Sequence, residues 1–261
     1  MRTLLIFAAS IAVTLMTVPQ DAEAWNDAHL SGMCSTQWEG GKGGGFMGQW
    51  GGNSVSLQVD QRGSIWTAAN QLESWMDSNC VNTSCYFYNY SNGDGTLGIV
   101  LDRNPSGKYS IGYVVTAGGA GGGSEIAGSF ASIFTCGLAS QVTTSFQRNA
   151  YDHSDTGGAN IYRLGGSKGM ISSWLLPGED DGAVAYHSAG ACTNTGSYDD
   201  LWTECGSHWS GHNSWWTPSS SYDEGDYIDH YEIKMLGICM DGGVSNVSGA
   251  GDCLEWVADN A

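Results

Sequence analysis

The sequence predicts an all-β fold, a disulfide-stapled β-sandwich or jelly-roll-like domain with one surface helix. Three observations predict it. Apolar residues recur with period two in short runs, as at Val55, Leu57 and Val59, which is the pattern of half-buried strands. Glycine supplies 39 of the 261 residues against only 4 prolines, about twice its ordinary share and without a G-X-Y period, so tight turns are expected and collagen is excluded. Eight cysteines all follow an apolar leader, and an even count in an exported chain implies a disulfide framework.

The leader comes first. Arg2 precedes an apolar run from Leu4 to Val18, and Ala22-Glu23-Ala24 supplies small residues at the spacing signal peptidase needs. Residues 1–24 therefore read as a secretory signal, with the mature chain starting at Trp25 in an extracellular or periplasmic setting. No later run approaches the roughly 20 apolar residues of a membrane span. Residues 25–53 are rich in glycine and tryptophan and read as loops with short strands. Val55 to Val59 is a strand. From Ser64 to Asn79 the period changes to 3.6, with Ile65, Ala69, Leu72, Trp75 and Met76 on one face, so this is the expected helix.

Tyr86 to Tyr90, the turn residues Ser91-Asn92-Gly93-Asp94-Gly95, and Thr96 to Leu101 read as a hairpin, because Asn and Gly tolerate the positive φ of hairpin turns. Further short strands are expected at Lys108 to Ala117, Ser129 to Thr135, Gln141 to Phe146, Asn160 to Leu164, Met170 to Leu176 and Ala183 to Tyr186. The glycine run Gly118 to Gly123 lacks a phosphate-binding register and reads as a loop. Spacing pairs Cys80 with Cys85, Cys192 with Cys205 and Cys239 with Cys253, leaving Cys34 with Cys136. A composition boundary near Trp174 separates a Gly-rich domain, 25–173, from an acidic Trp/Cys-rich subdomain, 174–261, that holds fifteen acids against the single base Lys234.

Charge excludes one class of function. With 27 acids against 9 bases and a formal charge of −18, the chain is no ordinary nucleic-acid binder. Asp223, Glu224, Asp226 and Asp229 crowd one loop, and Glu179-Asp180-Asp181 forms a second cluster. Hard oxygen ligands suit Ca²⁺, so calcium is a candidate organiser of the first loop, against the alternative of a solvated acidic surface.

Trp209, Trp215, Trp216, Tyr222 and His212 lie in a polar segment where aromatic rings could stack on sugars while neighbouring polar groups bond hydroxyls. A competing reading packs the same rings over disulfides as core. The segment Tyr186-His187-Ser188-Ala189-Gly190 resembles the Gly-x-Ser-x-Gly nucleophile elbow of the α/β-hydrolases, with Tyr186 where the first glycine belongs. The resemblance implies Ser188 as nucleophile, followed in triad order by Asp199 or Asp200 and by His208, His212 or His230. Against it stands the missing strand–helix alternation that such a fold requires.

These features together lead to the expectation of a secreted, non-enzymatic carbohydrate or surface-polymer binding protein. The alternatives are an extracellular hydrolase acting on polysaccharide or peptide, and a structural or toxin-like exported protein.

Overall fold

The computed structural model describes residues 26–37, 53–128, 136–153, 155–164, 175–176, 180–189 and 230. Among them run β1 (Asn26–Leu30), β2 (Asn53–Ser56), α1 (Ile65–Asn79), β3 (Cys85–Tyr90), α2 (Gly93–Asp102), β4 (Ile111–Ala117), a 3-10 turn (Gly137–Gln141), α3 (Thr144–Ala150), β5 (Asn160–Leu164) and the short α4 (Tyr186–Ala189). The strands form one sheet in the order β2-β1-β3-β4-β5. Every neighbouring pair is parallel.

This overturns the all-β expectation. Parallel strands cannot be joined by tight turns and need crossovers: α1 carries the chain from β2 past β1 to β3, and α2 joins the neighbours β3 and β4. The predicted hairpin at residues 86–101 is therefore a strand, a sharp turn and a helix. The reason lies in the burial of α2, whose residues from Gly93 to Leu101 are all buried. A helix enclosed on every side carries no polar stripe, so its 3.6 period vanishes, while Ile99 and Val100 lend it a strand-like composition. Gly95 and Gly98 further depress its helical propensity. They are small because Gln147 and Tyr151 pack directly against them.

α1 forms as expected. Ser64 caps it by accepting from the Trp66 amide at 3.3 Å, and the Gln141 side chain accepts from Ile65 N–H at 2.7 Å, which satisfies donors a helix start leaves open. Its apolar face of Ile65, Ala68, Ala69, Leu72 and Met76 is buried against the sheet core of Ala28, Leu30, Phe87, Val114 and Ile161. The predicted strand at Gln141 to Phe146 is replaced by the end of the 3-10 turn and the start of α3, capped by Thr143 on Phe146 N–H at 3.2 Å. Ala183 to Tyr186 likewise forms no strand, contributing only an isolated bridge between Asp180 and Ala185 before α4.

Two disulfides, Cys34–Cys136 and Cys80–Cys85, match the spacing argument. They are compatible with an extracellular setting. The other two expected pairs, and residues 1–24, lie outside the described residues. Among the described residues no helix is long and apolar enough to cross a membrane.

One core residue makes stability depend on pH. His29 is wholly buried in β1, stacked on Tyr88 at 5.0 Å between ring centres, and burial pushes its pKa down from 6.5 to about 3. The folded state holds it neutral while the unfolded chain protonates it below about 6.5. Its contribution is thus complete above pH 6.5 and is lost as pH falls toward 3. Moving from pH 7.5 to pH 5 should cost about 2 kcal/mol from this group, a fall in Tm of about 4 to 8 °C. Melting curves of wild type and His29→Phe at both pH values check this, and the variant should lack that share of the fall.

Candidate functional site

Strand order places the site. In a sheet ordered 2-1-3-4-5 the chain leaves β1 and β3 in opposite lateral directions, which opens a crevice at their carboxyl ends. The segments that meet there are Ser31-Gly32-Met33 after β1 and Ser91-Asn92 after β3. Their approach is close: a Cβ on Gly32 would lie 2.5 Å from Ser91 Cβ and 3.0 Å from Ser91 Oγ, so only glycine fits beside that hydroxyl. At the first residue of α2, a Cβ on Gly93 would lie 2.8 Å from the Leu30 carbonyl oxygen, so α2 starts hard against the end of β1.

Ser91 has φ of 53°. A left-handed serine costs roughly 1–2 kcal/mol and persists only where its surroundings over-determine it. They do. Its amide donates to the Ala117 carbonyl at 3.1 Å, and its carbonyl accepts from Ala120 N–H at 3.0 Å and Asp94 N–H at 3.3 Å. Among the described residues only Cys34, with φ of 67°, shares this conformation without being glycine, and it lines the same cavity as Ser91.

That cavity also contains His230. The imidazole Nδ1 lies 2.6 Å from Asp181 Oδ2, and the His230 amide donates to the Asp181 carbonyl at 2.7 Å. Asp181 is itself fixed, because its other oxygen accepts from the amides of Ala183 at 2.9 Å and Val184 at 2.8 Å. Tyr90, the residue before Ser91, holds His230 from another side: its hydroxyl donates to the His230 carbonyl at 2.8 Å and the rings lie 4.9 Å apart. With Nδ1 engaged by a carboxylate, Nε2 is the nitrogen available for proton transfer.

A buried amide network stands behind Ser91. Asn92 donates to Gln61 Oε1 at 2.8 Å and accepts from Gln147 Nε2 at 3.0 Å, while Gln61 Nε2 donates to the Ser31 carbonyl at 2.5 Å. Gln147 also donates to the Gln141 carbonyl at 2.7 Å. One chain of hydrogen bonds thus fixes both the residue that follows Ser91 and the loop that carries Gly32. Asp94 pins the next loop, accepting from Gly121 N–H at 3.1 Å and Thr116 Oγ1 at 3.3 Å.

The expected site residues fall elsewhere or outside view. Ser188 is fully buried in α4, where its hydroxyl donates to Glu125 and accepts from Arg148 Nη2 at 3.2 Å. His187 Nε2 lies 3.0 Å from the same Glu125 carboxylate. Burial pushes the Glu125 carboxyl up, but the hydrogen bond and charge of His187, joined by the Ser188 hydroxyl, outweigh it and hold the group below the ordinary carboxylate range. The structure brings Ser188 together with His187, Glu125 and Arg148, and brings His230 together with Asp181 and Ser91. Asp199, Asp200, His208, Trp209, His212, Trp215, Trp216, Tyr222, Asp223, Glu224, Asp226 and Asp229 lie outside the described residues. In the second acidic cluster Asp180 Oδ1 accepts from the Gly182 amide at 2.7 Å, while Asp181 divides its oxygens between the Ala183 and Val184 amides and His230.

The sequence reading missed Ser91 and Gly32 and saw Asp181 only as one acid in a cluster. A signal for Ser91 was present: Asn89-Tyr90-Ser91-Asn92-Gly93 carries a serine two residues before a glycine at the end of an aromatic strand. Like the segment at Ser188, it lacks the first glycine of the elbow.

The chain matches no protein-family model and no curated protein. Its fold does match solved structures. The metagenomic carboxyl esterase MGS0156 superposes with a TM-score of 0.58 at 13% identity, over 92% of this chain and 77% of that one. The mature lipase BlEst2 of Bacillus licheniformis gives 0.54 at 14% identity, over 71% and 88%. The lipase of Staphylococcus hyicus gives 0.51 at 8% identity, over 92% and 95%. At such identities the likeness establishes the fold, that of the α/β-hydrolases. It overturns the expectation of an all-β, lectin-like carbohydrate binder. A helix taken for a strand at residues 96–101, together with the strand expected where α3 begins, hid the strand–helix alternation that this fold requires.

Proposed function

We propose that the chain is a secreted serine hydrolase that cleaves carboxylic esters. One observation carries the proposal: Ser91, strained at the turn from β3 into α2, shares a cavity with a histidine whose Nδ1 is bonded to a buried aspartate. Ser91, Asp181 and His230 also occur in the chain order Ser, Asp, His that this fold uses.

His230 Nε2 takes the proton as Ser91 Oγ attacks the ester carbonyl carbon. Asp181 holds the imidazole in the required tautomer and stabilises the imidazolium that forms. The developing oxyanion is received by the Asn92 N–H at the start of α2 and by an N–H of the Gly32-Met33 segment, donors held in place before reaction by the Gln61–Asn92–Gln147 network. The alcohol leaves with the proton from His230. Water, activated by the same imidazole, then attacks the acyl-enzyme and releases the acid, restoring Ser91.

Export through residues 1–24, and the oxidising compartment that the disulfides fit, complete the reading. The test is initial-rate hydrolysis by the oxidised chain of p-nitrophenyl esters, a peptide panel and a polysaccharide panel. Saturable ester turnover without comparable peptide or glycan cleavage supports the proposal, and the absence of ester turnover overturns it.

A further inference from the structure

The cavity that holds Ser91 and His230 has a volume of about 220 Å³. Pockets for drug-sized ligands are larger, about 300–1,000 Å³. Its walls fall into two tiers. Ala120, Ala127, Val142 and Val184 are at most 3% exposed and belong to the buried core cluster, so they form the floor. Met33 and Ala183 are half-buried and form the rim. The floor is aliphatic throughout, with two of its four side chains no larger than a methyl group.

The polar side chains along the wall are already engaged. Ser124 donates its hydroxyl to the Ala183 carbonyl at 2.5 Å, and Tyr90 donates its own to the His230 carbonyl at 2.8 Å. Neither donor proton is left for a carboxylate or carbonyl oxygen on a substrate chain, and such an acceptor buried without a partner costs roughly 1–3 kcal/mol, more when charged. A plain hydrocarbon chain incurs no such cost and gains about 0.8 kcal/mol for each methylene taken from water.

We infer that this cavity is an acyl pocket for short, unsubstituted aliphatic chains, with Ala127 and Val142 setting the length accepted. The inference rests on the ester hydrolase reading and narrows it. At roughly 30 Å³ for a group the size of a water molecule or methylene, the cavity holds about seven such groups. The preferred acyl group therefore has about four to eight carbons, and twelve or more overrun the floor.

The experiment is kcat/KM for p-nitrophenyl esters of two to sixteen carbons, each below its aggregation limit, with the butanedioate half-ester beside butanoate. Wild type should gain about fourfold per methylene until the pocket is full. It should then lose at least about tenfold by twelve carbons, and should disfavour the butanedioate half-ester by at least about tenfold. Val142→Ala should move the optimum one or two carbons longer, and Ala127→Leu should move it shorter. Val142→Ala removes volume without disturbing any hydrogen bond of the site, so it carries the test even where Ala127→Leu fails to fold. Turnover that stays level or rises through twelve to sixteen carbons overturns the acyl-pocket inference and leaves the esterase reading standing. So does an optimum that neither variant moves. No turnover of any ester overturns both.

Discussion

Ser91→Ala should abolish ester turnover, lowering kcat by about 10⁵ to 10⁶-fold, while the protein stays folded. The size follows from the unit behaviour of a nucleophile and its base: without the hydroxyl no acyl-enzyme forms, and only binding and the oxyanion donors still act, worth about 10³ to 10⁴ over water. Stability should change little, because the residue's backbone bonds to Ala117, Ala120 and Asp94 do not involve the hydroxyl. Ser91→Gly sharpens the argument. It should be equally inactive yet more stable by about 1 kcal/mol, since glycine adopts a positive φ without the left-handed penalty. Gain of stability with loss of activity is what a strained functional serine predicts. Asp181→Asn should lower kcat by about 10⁴, through the wrong imidazole tautomer, with a smaller effect on KM. Initial rates beside thermal melts of the three variants check these expectations. A Ser91→Ala protein that keeps a tenth of wild-type kcat would exclude Ser91 as nucleophile.

Opening the Cys34–Cys136 disulfide should have the largest effect on stability. It closes a separation of 102 residues, against 5 for Cys80–Cys85. On a chain-entropy basis these loops are worth about 4.7 and about 2 kcal/mol. Position adds to the difference. Cys34 lies two residues beyond Gly32 and lines the cavity, its amide bonded to the Gln61 carbonyl at 2.9 Å. The bridge thus ties the segment beside Ser91 to the residue that caps the start of the 3-10 turn. Paired Cys34→Ala, Cys136→Ala substitution should lower Tm by about 10 to 15 °C and reduce kcat at a temperature where the variant is still folded. Paired Cys80→Ala, Cys85→Ala substitution, at the opposite ends of the strands, should lower Tm by less than half as much and leave kcat near wild type. Equal effects on kcat from the two pairs would refute a role for Cys34 in holding the site.

Much of the local structure was legible in the sequence. α1 showed its period because one face meets solvent, and the segments that became β3, β4 and β5 showed theirs through aromatic and β-branched runs. Cys80–Cys85 and Cys34–Cys136 followed from spacing. Strand direction was not legible, since alternation is the same in parallel and antiparallel sheets. It hung on residues 91–101. Read as a turn and a strand, they make β3 and its successor antiparallel and the fold a sandwich; formed as an elbow and a helix, they make the sheet parallel and place a serine at its carboxyl edge. The need for a positive φ there was read correctly in kind, but it falls on Ser91 rather than on asparagine or glycine. α3, with seven residues, was too short to display a period. Asp181 and His230 were visible only as members of an acidic cluster and a set of three histidines. Sequence spacing carries no sign that positions 91, 181 and 230 meet.

The most direct test of the account is to inactivate the oxidised protein with a fluorophosphonate ester and map the adduct by peptide mass spectrometry. Such reagents phosphonylate a serine only where a base removes its proton and donors receive the oxyanion, so labelling reports the assembled site rather than exposure. The account predicts one equivalent of adduct on Ser91, inactivation in step with labelling, and no adduct in Ser91→Ala. Adduct on Ser188, or turnover that survives stoichiometric labelling elsewhere, would contradict it.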